Sequence, residues 1–536
     1  MRITCWGSVV FGIVAAACVG PLPPPPELTV TSPQRGLVQG EAGQIVVKGT
    51  ALPGPSGDPV ARVTVNNTPA LLAADGSFSA VVNVPAGAML LETVAVSDAG
   101  AKATDARAVQ VGQLRPVGTS IDRAVTAAVS ADAFAKLSAA AGPIIKSTNL
   151  MALIAQVQPK LWDDIANVQL TITKLAFADV KISLAPVDGG LQFSAKIDGL
   201  SVAANAAYGG VLVPDGTTSV SATADTVTIA GTLVVTPAGT AGFTTSIASP
   251  LVGTTNLRLQ ASGLVGQILD LLNNNLASTI QRITTSTAEK AMAPLITKAF
   301  GALAGPQQLD VLGKKLEIQA SPSAVQFSHT GALVTLNLQV KIAGSESSPG
   351  FIYTPNGMPT MNVGTGVQLG LADDLINELL AEVHALQLLN IHLDEDFGLF
   401  DAADFKLTLP PMISANNSDG TLRLVLGDMI ATFTDHGNPV IRAAVNAQID
   451  LAILRGTSAQ EIALQFGKVH AYVNVLDNAE SSDDLSGPTK DGIGVQLDRL
   501  SKFMITVPVP SVAGVSLDNL ALRADSGYVV VSGQIH

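Results

Sequence analysis

Long runs in which apolar and polar residues alternate do most to limit what this chain can become. In Leu191-Gln-Phe-Ser-Ala-Lys-Ile197 every second residue is apolar, and Leu333 to Ile342 alternates in the same way. On a pleated strand such residues line one face, so each run calls for a sheet with one apolar side. Val227–Val235, Leu257–Ala261, Val367–Leu371, Leu389–Leu393, Phe405–Leu409, Leu422–Leu426, Val440–Leu454 and Val469–Val475 read as further strands. The order strand, polar turn, alternating strand recurs near 316–342, 405–434 and 517–535, an internal duplication of layout without sequence identity.

A helical period is interleaved with this pattern. Ile121, Val125, Val129, Phe134 and Leu137 recur at roughly helical spacing, which predicts a helix around Ala124–Ala139. Leu264, Ile268, Leu272, Leu276, Ile280 and Ile283 predict a longer amphipathic helix, with Pro294 as its break. Residues 372–385 predict a third, with Leu375, Leu379 and Val383 on one face.

Composition narrows the function. Of 536 residues 47% are hydrophobic and 14% charged, which is enough apolar surface to offset the entropy of ordering most of the chain. A net charge of −13 and an aromatic content of 4% argue against nucleic acid as a partner, because that needs a basic surface and stacking side chains. Past the extreme N-terminus no apolar run reaches the ~20 residues of a bilayer-spanning helix.

The N-terminus has the layout of an export signal: Arg2, an apolar run from Val9 to Val14, then Ala15-Ala16-Ala17-Cys18. It resembles a bacterial lipoprotein signal, cleaved after residue 17 so that Cys18 takes a lipid, although the usual leucine three residues before that cysteine is missing. Cleavage there removes Cys5 and leaves Cys18 as the one thiol, which excludes a disulfide or a cysteine metal site. Pro21 and Pro23 to Pro26 make 18–27 a stiff tether. The expected location is outside the cytoplasm, lipid-anchored to the outer membrane on its periplasmic or cell-surface face.

Residues 28–112 hold short β-rich runs between turn signals. Val63-Thr-Val-Asn-Asn67, Asp75-Gly-Ser-Phe78 and Val96-Ser-Asp-Ala-Gly100 resemble bacterial immunoglobulin-like modules, usually spacers or adhesion units. Residues 120–536 resemble the tubular lipid-binding superfamily of bactericidal/permeability-increasing and lipopolysaccharide-binding proteins. The resemblance rests on element order: the helix near Ala124–Ala139, the long helix Leu264–Ile283, strands closing at Leu309–Ile342, the strand-to-helix entry Val367–Asn377 and the hairpin Leu517–Ile535. It implies an α+β fold of two tandem elongated barrels of antiparallel strands wrapped around long helices, preceded by the immunoglobulin-like sandwich. The first barrel would cover 113–343, a Ser/Gly/Pro-rich linker 344–362 and the second barrel 363–536. The animal relatives carry a disulfide in the first barrel that this chain cannot form, and the second-barrel helix near Val495–Phe503 is short.

No Gly-x-Ser-x-Gly, His-Glu-x-x-His or Walker motif occurs, so neither catalytic residues nor a cofactor are expected. The glycines of Gly364–Gly370 read as turn residues. His392, Asp394 and Asp396 alternate and so share a strand face, and Asp477, Glu480, Asp483 and Asp484 form an acidic loop; both read as solvated polar segments, with no metal assigned. Asn66-Asn67 and Asn416-Asn417 read as turns. The superfamily resemblance implies non-covalent binding, with or without transfer, of lipids or lipopolysaccharide-like amphiphiles in apolar tunnels. Val125, Val129, Leu264, Ile268, Leu272, Leu375 and Leu379 are the tunnel-lining candidates. An adhesion or interaction protein without a lipid ligand is the alternative.

Overall fold

The alternating runs form strands, and longer ones than the sequence delimits. Gly190–Gly210 and Gly216–Pro237 contain 21 and 22 residues, because small and β-branched residues carry the alternation past the apolar cores of each run. The computed structural model describes residues 23–136, 138, 160–162, 166–210, 214–239, 242–261, positions between 270 and 286, 307–311, 314–354, 356–364, 366–394, 400–415, 421–455, 461–478, 504–508 and 517–535. These residues are mostly β.

Two sheets make the N-terminal module. One orders Glu27–Ser32, Gly43–Leu52, Ser77–Val84 and Leu71–Leu72; the other orders Leu37–Gln39, Lys102–Val111, Gly87–Ser97, Val60–Val65 and Thr68–Pro69. They close on Val47, Val63, Val65, Leu91, Ala95 and Val109, all at most 1% exposed. Asn66 and Asn67 have φ of 46° and 64°, so they form the turn that their sequence predicts.

Beyond the module a central seven-stranded sheet runs Gln307–Val311, Lys314–Ser328, Gly331–Ile342, Ile121–Ser130, Val367–Ala372, Tyr528–Ile535 and Leu517–Asp525. Strands from 113–343 and from 363–536 thus share one sheet, and Ile121–Ser130 joins them by pairing with Gly331–Ile342 on one side and Val367–Ala372 on the other. A first flanking sheet is built on Ala166–Ala176, Gly190–Gly210, Gly216–Pro237 and Phe243–Thr255. A second is built on Ala402–Leu407, Leu422–Asp435, Asn438–Arg455 and Glu461–Asn478. The chain between the central strands is also engaged: Phe351–Tyr353 pairs with Gln113–Arg115, and the Arg115 guanidinium lies 3.4 Å from the Tyr353 ring centre.

Two expectations need correction. Barrels wrapped around long helices are not what the described residues form; these are open sheets, and the helix Asp373–Ala385 has 13 residues. The helix around Ala124–Ala139 begins only after Ser130, with residues 131–136 helical, because Ile121–Ser130 is a strand. The misreading has a physical cause. Every residue from Ala124 to Ser130 is buried, so both faces of the strand are packed and no alternation is left to mark it. The described positions between 270 and 286 are helical, within the long helix expected there. The expected short helix at 495–503 lies outside the described residues.

Candidate functional site

The inner face of the first flanking sheet is the extended apolar surface of the protein. From Gly190–Gly210 it takes Leu191, Phe193, Ala195, Leu200, Ala204 and Ala206; Gly216–Pro237 adds Val220, Ala224, Val227, Ile229, Leu233 and Val235. Polar Gln192, Ser194 and Lys196 point the other way and are exposed. The face divides into two packed clusters. The end near the central sheet joins the main core through Leu191, Phe193 and Val227. The far end packs Val168, Ala204, Ala206 and Val220 against Leu271 and Leu272 of the helical segment. Within the main-core stretch Ile197, and at its junction with the far cluster Val202, are only partly buried.

The structure brings some predicted residues together and separates others. Val125 and Val129 lie on the central strand, not on a helix, inside the main core. Leu375 is in the same core and Leu379 packs against it. Leu272 is 3% exposed in the separate far-end cluster. Leu264, Ile268 and Cys18 lie outside the described residues. A groove of about 470 Å³ on the N-terminal module, lined by Thr31, Lys48, Leu71 and Phe78 among others, touches none of them.

The sequence reading missed a second surface, the acidic face of the helix Asp373–Ala385. Asp373, Asp374, Glu378 and Glu382 are all at most 2% exposed. Asp373 accepts from Asn356 Nδ2 at 2.8 Å and from the Ala415 amide at 2.9 Å. The Thr354 amide and hydroxyl donate to Asp374 at 2.9 and 3.0 Å. Glu378 Oε1 receives the Gly118 amide at 2.6 Å, and Glu382 Oε2 receives the Ile342 amide and, at 2.6 Å, the Ser345 hydroxyl. Asn377 exchanges two bonds with the Ile413 backbone. Burial pushes all four carboxyls above the ordinary carboxylate range, Asp374 to about 7 and Glu378 to about 8, with neighbouring carboxylates adding to both of these. The signal was present: Asp374, Glu378 and Glu382 recur every fourth residue, one position before Leu375, Leu379 and Val383. Spacing defines both stripes, but it does not reveal that both are buried.

His392 and its carboxylate neighbours are exposed. His392 places Nδ1 2.9 Å from Asp404 and Nε2 2.9 Å from Asp394. The bond to Asp404, with that to Asp394, raises its proton affinity, and both ring nitrogens lie against carboxylates. Asp396, Glu480, Asp483, Asp484 and Asn416-Asn417 lie outside the described residues, and Asp477 pairs with Arg442 at 2.9 Å. Asp401, Asp435 and His436 cluster, with the His436 amide and ring bonded to the two carboxylates at 2.8 Å each.

Comparison with known proteins adds the following. A search of curated proteins gave no match. Among solved structures the chain is similar to the crystal structure of lipopolysaccharide binding protein, at 15% identity over 78% of this chain and 99% of that one, with a TM-score of 0.37. P47 of Clostridium botulinum E1 is similar at 7% identity over 78% and 100%, with a TM-score of 0.32. P47 from Clostridium botulinum A2 gives 8% over 76% and 96%, with a TM-score of 0.27. The family described as glucodextranase, domain B, matches residues 26–113, which spans the immunoglobulin-like module.

Proposed function

We propose that this protein is a non-enzymatic, exported binder of lipids or similar amphiphiles, anchored to the outer membrane through Cys18. The observation that carries the reading is the inner face of the first flanking sheet. It stays apolar along strands of 21 and 22 residues, is floored by small side chains such as Ala195, Ala204 and Ala224, and leaves Ile197 and Val202 only partly covered midway. An acyl chain laid on those residues gains roughly 0.8 kcal/mol per buried methylene. Small side chains beneath it leave room that would otherwise forfeit dispersion contacts. The headgroup would stay at the polar rim, and no covalent step is needed.

Organic extraction of natively purified protein followed by mass spectrometry tests the reading. Stoichiometric lipid is the expected result. Protein that carries none and takes none up from vesicles favours the alternative of an interaction protein. Anchoring is tested separately: Cys18→Ser should leave the membrane fraction after a salt wash, since two or more lipid chains are what hold such a protein there.

A further inference from the structure

The acidic helix sits at a joint. Its carboxylates and Asn377 receive backbone or side-chain bonds from Gly118, before the central strand; from Ile342 and Ser345, at the end of its neighbour; from Thr354 and Asn356, between the two halves; and from Ile413 and Ala415, which lead into the second flanking sheet. These segments belong to the central sheet, to the connection that follows it and to the second flanking sheet, and one helix face holds them all.

Arg115 and Lys341 offset the charge of Asp374 and Glu382 only from a distance, and no ion pair reaches that face among the described residues. Of the elements packed on the helix, Gly331–Ile342 brings Lys341, Phe351–Tyr353 brings Tyr353, Ile121–Ser130 brings Asp122 and Arg123, and the 3-10 turn Ser345–Ser347 brings Glu346. Val367–Ala372 and Met412–Ser414 bring no titratable group. Arg115 and Tyr528 stand nearby, and His384 on the helix itself bonds the Leu407 carbonyl. Lys341 pairs with Glu346 at 3.2 Å and Arg115 stacks on Tyr353, so among the described residues no ion pair joins a cation to the helix carboxyls. Glu378 Oε2 and Glu382 Oε1 are buried with no hydrogen-bond partner among the described residues. An ionised oxygen in that position bears the full cost of desolvation, whereas a protonated one does not.

We infer that this helix face is a proton-operated clamp: with Glu378 and Glu382 protonated it holds the second flanking sheet and the segment 345–356 to the central sheet, and proton loss puts unpaired charge into the joint and loosens it. The sign follows from the raised proton affinities. Asp374 and Glu378 titrate near 7 and 8 when folded, against ordinary values of 3.8 and 4.5. The folded chain therefore keeps protons that the unfolded chain has lost, and their contribution is fully present below about pH 4 and lost as pH rises through 7 to 8.

The test uses the full chain and Glu378→Gln/Glu382→Gln, whose amides stay neutral at every pH. Thermal unfolding of the wild type should fall by roughly 5 °C or more from pH 5 to pH 8.5, and the double variant should lose most of that slope. An equal slope in both would assign it to the surface acids and overturn the clamp, as would no slope in the wild type. Should the variant not fold, infrared spectroscopy of the wild type decides. A protonated carboxyl C=O band that persists at neutral pH and titrates away above it supports the clamp, and its absence at neutral pH overturns it.

Discussion

Asp428 illustrates how much one residue can hold. It sits in a bulge where the register between Leu422–Asp435 and Asn438–Arg455 shifts, with φ of 43°, and the bulge turns its carboxylate towards the N-terminal module. There it meets Arg35 Nη1 at 2.9 Å, the Gly36 amide at 2.8 Å and Asn446 Nδ2 at 3.0 Å, with its side chain fully buried. Arg35→Ala should cost about 2–4 kcal/mol by leaving that carboxylate without its cation, and adding Asp428→Ala should recover part of the loss; a double-mutant cycle by urea unfolding measures both. The preceding glycine has its own constraint. A Cβ on Gly427 would lie 2.5 Å from the Ala108 methyl, so Gly427→Ala should cost about 1–3 kcal/mol in the same assay by forcing the module away. Sequence reading names neither residue, because a bulge and contacts hundreds of residues away leave no local trace.

At the scale of elements, the strand Ile121–Ser130 and the helix Asp373–Ala385 show opposite ways in which periodicity misleads. The strand is buried on both faces, so its apolar spacing fits a helix as well as a sheet. The helix was legible, with Asp373 and Asp374 at the positive end of its dipole, but its buried face carries carboxyls that amphipathic logic assigns to solvent. Thr126 offers a test of the strand assignment. Its hydroxyl is buried with no hydrogen-bond partner among the described residues at the middle of the central sheet, so Thr126→Val should be neutral or stabilising by up to about 1–2 kcal/mol, as read by thermal denaturation. In a solvent-facing helical position the same change would be close to neutral, so a gain in stability marks the buried strand.

For the whole molecule, the question is whether the N-terminal module hangs as a spacer or belongs to the body. Leu90 and Ala108 pack with Leu409 and Val425 of the second half in one apolar cluster. Backbone groups of Thr104 and Ala106 are met by Asn446 and Asn474 side chains, which complete the open side of Lys102–Val111. The module is docked. Calorimetry should therefore give one transition for the module and the second flanking sheet, and Asp428→Ala should split off an earlier one. The sequence by itself determined that most of this chain is sheet and that residues 372–385 form a helix, because periods of two and 3.6 and turn residues act over short spans. Only the tertiary structure decided that strands from both halves share the central sheet, that the module is fastened to the second flanking sheet, and that four carboxyls turn inward. Burial and long-range pairing depend on which surfaces meet, and residues hundreds of positions apart carry no local signature of meeting.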